Sequence, residues 1–110
     1  MDGDVNDVFT VLADPTRRHI IELLHGGEKS VNDLVRRVDI EQPGVSRHLR
    51  ILNDAGLVRV RPDGQRRLYS LRPEPLREAE AWMRRYAHEQ AARLKRLAEL
   101  VDDPKEEKKA

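Results

Sequence analysis

Five residues within a nine-residue stretch carry the side chains that read nucleic-acid bases: Gln42, Ser46, Arg47, His48 and Arg50. Glutamine pairs bidentately with adenine and arginine with guanine in a major groove. Gly44 and Ser46 are small and allow a helix to approach a duplex closely. A second set, Arg59, Arg61, Arg66 and Arg67, brackets Pro62-Asp63-Gly64-Gln65. Arginines around a tight turn suit phosphate contact, with room for one in a minor groove. A solvated polar helix face is the alternative reading of the first set. The basic stretch immediately downstream favours the first reading over it.

The elements that must hold these residues can be read from spacing. Ser30 and Asp33 approximate a capping box, opening a short helix with Val31, Leu34, Val35 and Val38 on its buried stripe and an end near Arg37 or Val38. Asp39-Ile40-Glu41 is a turn. The next helix buries Val45, Leu49 and Leu52, at spacings of four and three, flanked by Ile51, and Gly56 stops it. Segments 57–61 and 66–71 alternate apolar and polar residues about the turn, as a hairpin does. Tyr69 is expected to pack against the domain rather than on a base. Helix, turn, polar-faced helix and arginine-rich hairpin make a mainly α fold with a small β-hairpin, a winged helix-turn-helix, with its DNA-reading unit at 30–72.

Upstream, Val5, Val8, Phe9 and Leu12 recur at helical spacing. Asp14-Pro15 then starts a helix carrying Ile20, Ile21, Leu23 and Leu24, which Gly26 is expected to close in a left-handed conformation. Downstream, Pro73 and Pro75 punctuate the exit from the hairpin. One long helix then follows from Leu76 to Val101, with Trp82 beside a stripe that includes Met83, Tyr86, Leu94 and Leu97. So much apolar surface on a small domain asks for a partner helix. The expected organisation is a single domain over 1–101, with dimerisation helices at 1–12 and 75–101 and a charged, disordered tail at 102–110. The expected dimer interface comprises Val5, Val8, Phe9, Leu12, Trp82, Met83, Tyr86, Leu94 and Leu97.

Composition narrows the function further. A chain of 110 residues with 38% apolar and 37% charged residues fits one strongly polar domain. The net charge of +1 hides an asymmetry. Residues 1–30 hold six acids against three bases, whereas residues 44–72 hold seven arginines against Asp54 and Asp63. One face is therefore suited to nucleic acid. The absence of cysteine excludes disulfides and thiolate-bound zinc. No apolar run approaches the roughly 20 residues of a membrane span. The acidic start is unlike a signal peptide, so a cytoplasmic protein is expected. No phosphate-binding glycine loop, nucleophile elbow or acid–base constellation suggests an enzyme.

Several segments together resemble the ArsR/SmtB family of bacterial transcriptional repressors: 12–18, 20–24, Gln42-Pro43 with 45–49, Leu52, 55–58 and 66–71. The likeness covers about residues 5–100. It implies a homodimer built from the first and last helices, with two winged units on a palindromic operator. A dimer also follows from geometry, since two-fold symmetry sets a second recognition helix about 34 Å away on the same DNA face. Metal-sensing members carry cysteines where this chain has Ser30 and Asn32, neither of them a soft-metal ligand. A second family site matches about Pro73, Pro75, Tyr86 and Glu89, three of which cannot serve. No metal or cofactor is therefore expected, and the effector is left open. A site improvised from His88, Glu89, Glu99, Asp102 and Asp103 is a minor alternative, and His19 and His25 lack a matching carboxylate set. The rival functions are a regulator with a non-standard effector or metal site at the dimer interface, and a winged-helix protein-interaction module.

Overall fold

Asp14 closes one helix and opens another. In the computed structural model, which describes residues 5–101, helix α1 is Val5–Leu12 and helix α2 is Pro15–His25. The Asp14 carboxylate accepts from the backbone N–H groups of Thr16 (2.7 Å) and Arg17 (3.1 Å), and Pro15 occupies the first helical position, where no N–H is needed. The Arg17 hydrogen bond holds the Asp14 carboxyl below the usual aspartate value. Arg17 and Arg18 then reach back over α1. Arg17 Nε donates to the Val11 carbonyl at 2.8 Å and Arg18 Nη1 to that of Leu12 at 2.7 Å, satisfying acceptors that a helix C-terminus leaves open.

Ser30 and Asp33 form the expected capping box, each side chain accepting from the other's backbone N–H. Helix α3, Val31–Val35, is shorter than expected, its end tightening into turns at Arg36 to Val38. Helix α4 is Gln42–Asp54. Strands β2, Val58–Asp63, and β3, Arg66–Leu71, pair antiparallel with Asp63 opposite Arg66, leaving Gly64-Gln65 as a two-residue turn. Gly64 takes φ +65°, a positive angle at the first central position that favours glycine in such hairpins.

Four local expectations need correction. Gly26 is right-handed, with φ −81°, and the positive φ falls on Gly27. A further strand, β1 (Lys29–Ser30), pairs with the other edge of β3, so the hairpin belongs to a sheet of order β1-β3-β2. Pro73 and Pro75 do not precede the last helix but lie in the first turn of α5, Pro73–Val101, where missing N–H groups cost no helical bond. Finally, Val8 is wholly buried within the single chain, so it is a core residue and is not available to an interface. The side chain of Val5 and the tail at 102–110 lie outside the described residues.

The described residues cluster into two units divided between Ala79 and Glu80. In the first, Ile20 and Leu24 of α2, Leu34 of α3, and Val45, Leu49 and Leu52 of α4 bury themselves together with Leu57 and Val58. Tyr69 packs against this cluster, as does Leu76 from the first turns of α5. The second unit includes the remainder of α5, where Trp82, Met83, Tyr86, Leu94, Leu97 and Leu100 are exposed. Among the described residues no helix is long and apolar enough to cross a membrane.

One polar side chain joins the apolar inner face of α4. His48 is only 8% exposed, and its Nδ1 lies 3.4 Å from Arg17 Nη1. A guanidinium only donates, so a hydrogen bond here uses Nδ1 as acceptor and favours the neutral ring. Desolvation is the largest influence on the ring and lowers its pKa; Arg17 and Arg47 act the same way, and Asp14 opposes them.

Two outcomes follow. Asp14→Ala should cost about 1 kcal/mol in urea unfolding through loss of the α2 cap. Because folded His48 resists the proton that the unfolded chain accepts near pH 6.5, stability should fall as pH drops through that value. The melting temperature should therefore decline between pH 7.5 and 5.5, and less so in His48→Gln; equal declines in both would remove His48 as the cause.

Candidate nucleic-acid interface

Burial of Val45, Leu49 and Leu52 fixes the rotation of α4 about its axis and thereby decides which residues face outward. Gln42, Ser46, Arg50 and Asn53 follow one another at spacings of four, four and three along the outer face. Arg47 is exposed beside them. The helix starts at Gln42 with Glu41 as its cap residue, whose side chain makes no capping hydrogen bond.

Two adjoining clefts join this face to the hairpin. One, of about 390 Å³, has a floor of Val31, Leu49, Val60 and Tyr69 and a polar rim of Ser46, Arg50, Asn53 and Arg67. The other, of about 300 Å³, brings Gln42 together with Asn32 and with Gln65, Arg66 and Arg67 at the hairpin tip. Val31 and Arg67 border both. Base-reading and phosphate-seeking side chains from three separate stretches of chain are therefore neighbours.

Not every residue expected at this surface reaches it. His48 turns inward to Arg17, since 45, 48, 49 and 52 form one i, i+3, i+4, i+7 stripe, and it is not available to a duplex. Gly44 faces Ile40: a Cβ there would lie 3.1 Å from Ile40 Cδ1, so the small residue makes room for internal packing. Asn53, Asn32 and Gln65 are additions that sequence reasoning missed. The four-residue spacing from Gln42 through Ser46 could have extended to Asn53, whereas Asn32 and Gln65 are brought in only by the tertiary fold.

The hairpin arginines divide by their partners. Arg61 makes a two-pronged pair with Glu28, Nε to Oε2 at 2.8 Å and Nη2 to Oε1 at 3.0 Å, and this hydrogen bond holds the Glu28 carboxyl below its usual value. Arg66 Nε lies 3.2 Å from Asp63 Oδ2. Among the described residues, Arg47, Arg50, Arg59 and Arg67 make no ion pair with a carboxylate. Of the arginines on α4 and the hairpin, these four have charge to offer an external polyanion.

The second unit carries the other expected surface. Trp82, Met83, Tyr86, Leu94 and Leu97 are 43–62% exposed, and Leu100, which sequence reasoning omitted, is 81% exposed. The Trp82 and Tyr86 rings stack at 5.5 Å between centroids. Phe9 and Leu12 of α1 are half-buried in the first unit. Among the described residues no three histidine or acidic side chains come close enough to hold a metal; Asp102 and Asp103 lie outside them.

The likenesses to known proteins run through this same region. Residues 14–60 match the model of the bacterial regulatory protein, arsR family. The chain is 38% identical over 79 residues to the transcriptional repressor SdpR of Bacillus subtilis, a match covering 72% of this chain and 88% of that protein. It is 46% identical over 68 residues to the HTH-type transcriptional regulator Rv2034 of Mycobacterium tuberculosis, covering 62% of this chain and just under two thirds, 64%, of that protein. In structure it resembles the ArsR family transcriptional regulator RHA00566, with a TM-score of 0.71 and 31% identity over 78% of this chain and 89% of that one. With a winged helix-turn-helix and these relatives, the chain belongs to the arsR family of bacterial regulatory proteins, DNA-binding regulators of transcription and not enzymes.

Proposed function

We propose that this protein is a homodimeric repressor that acts in the cytoplasm and occludes a promoter by binding a palindromic operator. The observation that carries the reading is the meeting of Gln42, Ser46 and Arg50 on α4 with Arg67 on β3 around two adjoining clefts. Gln42, Ser46, Arg47 and Arg50 contact base edges and nearby phosphates in the major groove. Arg59 and Arg67 offer unpaired charge to the backbone, while Arg61 and Arg66 contribute through the shape of the hairpin they brace. Repression is taken from SdpR, which its name describes as a transcriptional repressor. The exposed apolar residues between Trp82 and Leu100 supply a surface for pairing two chains.

Fluorescence anisotropy with the protein's own upstream DNA, at several salt concentrations and with excess competitor, tests this. Binding should resist competitor and weaken steeply with salt. Arg67→Ala should weaken binding to all sequences alike and reduce the salt slope by about 1. Gln42→Ala should cost about 1–3 kcal/mol at its own base pair and relax the preference there. Arg61→Ala should alter the salt slope less than Arg67→Ala, its charge being engaged by Glu28. Folded protein whose binding to every upstream fragment is removed at once by competitor would overturn the operator reading.

A further inference from the structure

Arg17 reaches two other elements at once. Its Nε donates to the Val11 carbonyl in the last turn of α1 at 2.8 Å, and its Nη1 lies 3.4 Å from His48 Nδ1 in the middle of α4. Arg17 itself belongs to the first turn of α2, so three helices meet at one guanidinium. His48 is buried, and it stands beside Arg47 and two residues from both Ser46 and Arg50. Roughly half a helical turn therefore separates the enclosed ring from side chains of the outward face.

We propose that His48 is a positioning residue for the reading helix, through which uptake of a proton weakens DNA binding. This rests on the reading face of α4 proposed above. The neutral ring, accepting at Nδ1, ties α4 to Arg17 and through it to the end of α1. A proton from solvent at Nδ1 removes the acceptor and sets imidazolium beside guanidinium, two like charges in a site with little water. Among the described residues, the charged groups acting on the ring are Asp14 and Arg17 from the start of α2 and Arg47 from α4 itself. None comes from α3 or β2, which also pack on α4. Asp14 is the one acid of the three, and its Oδ1 already accepts from two backbone N–H groups. The charged ring is relieved when it turns toward water or when Arg17 withdraws. Either movement frees the turn of α4 that carries Ser46, Arg47 and Arg50, and affinity for a duplex falls with it. His48 is thus coupled to DNA without touching it.

Ordinary electrostatics has the opposite sign. A polyanion favours a charged imidazole, so the exposed His19, His25 and His88 strengthen DNA binding as pH falls. For His48 the reading conformation needs the neutral ring. Its contribution is complete at high pH and is lost as pH falls through the pKa of the enclosed ring, which desolvation holds below its ordinary value. The direction of the pH dependence therefore separates a positioning role from a general attraction of positive charge to DNA.

Fluorescence anisotropy of the full chain on its most tightly bound upstream fragment, at pH 7.5 and 5.5 and constant ionic strength, reads the coupling. Wild-type affinity should fall about fivefold at the lower pH. His48→Leu offers Arg17 no acceptor and should bind about tenfold more weakly than wild type at pH 7.5. His48→Asn keeps an amide oxygen near the place of Nδ1 and takes up no proton. It should recover most of the affinity that His48→Leu loses and should no longer weaken as pH falls. Circular dichroism at both pH values verifies that each variant is folded. In the free protein, NMR titration of the His48 ring should move the amide signals of Ser46, Arg47 and Arg50 together with those of Val11 and Arg17. Wild-type affinity that rises as pH falls, or a His48→Asn chain that follows pH as wild type does, overturns the positioning role and leaves the reading face standing. A ring whose titration leaves the α4 amides unmoved overturns it as well. Should no upstream fragment resist competitor, the operator reading fails, and the NMR titration still decides the role of His48.

Discussion

The inner face of α4 governs the rest of the molecule. Val45, Leu49 and Leu52 are wholly buried, and no other rotation of the helix would remove all three from water. Burying a large aliphatic side chain is worth roughly 1.5–3 kcal/mol, so turning the helix would forfeit several such terms at once. The outer face is then set without any force acting on it directly. His48 is the polar member of the buried stripe, and the neighbouring Arg17 meets its nitrogen. The same guanidinium bonds to the last turn of α1, so one side chain serves the end of α1, the body of α2 and the reading helix.

Charge in the hairpin is divided between architecture and reserve. Glu28 engages Arg61 across 33 positions of sequence, and Asp63 engages Arg66 beside the turn. On the outer face of α4 and the strands next to it, Arg47, Arg50, Arg59 and Arg67 are left without a carboxylate. Near-neutral net charge therefore conceals a local field, because the acids near this surface are engaged in capping and bracing. Asp14 and Asp33 each cap a helix, and Glu28 braces a strand.

Most of the reading unit was legible in the sequence because its signals are local. The Ser30–Asp33 box, the four-three spacing of Val45, Leu49 and Leu52, and the glycine at the hairpin tip each act over a few residues. The rest depends on contacts that no short window contains. Strand β1 is two residues long and exists only because β3 has a free edge. For His48 two local signals disagreed: its spacing pointed inward and its chemistry outward, and the spacing prevailed. Val8 likewise satisfies the core before any interface. The Glu28–Arg61 pair and the meeting of Gln42 with the hairpin tip come from the tertiary fold. The apolar residues of α5 were legible as unpartnered surface, apart from Leu100.

The two-residue turn at Gly64-Gln65 and the Glu28–Arg61 clasp act on the same hairpin from different places. The turn sets the strand register, and the clasp ties β2 to the residue just before β1. A loop that orders itself on contact loses conformational entropy at that moment, and its association slows while the ordering takes place. This hairpin has lost that entropy already, during folding. In the operator-binding reading proposed above, the wing then meets a polyanion with its arginines already placed and is drawn in by their field.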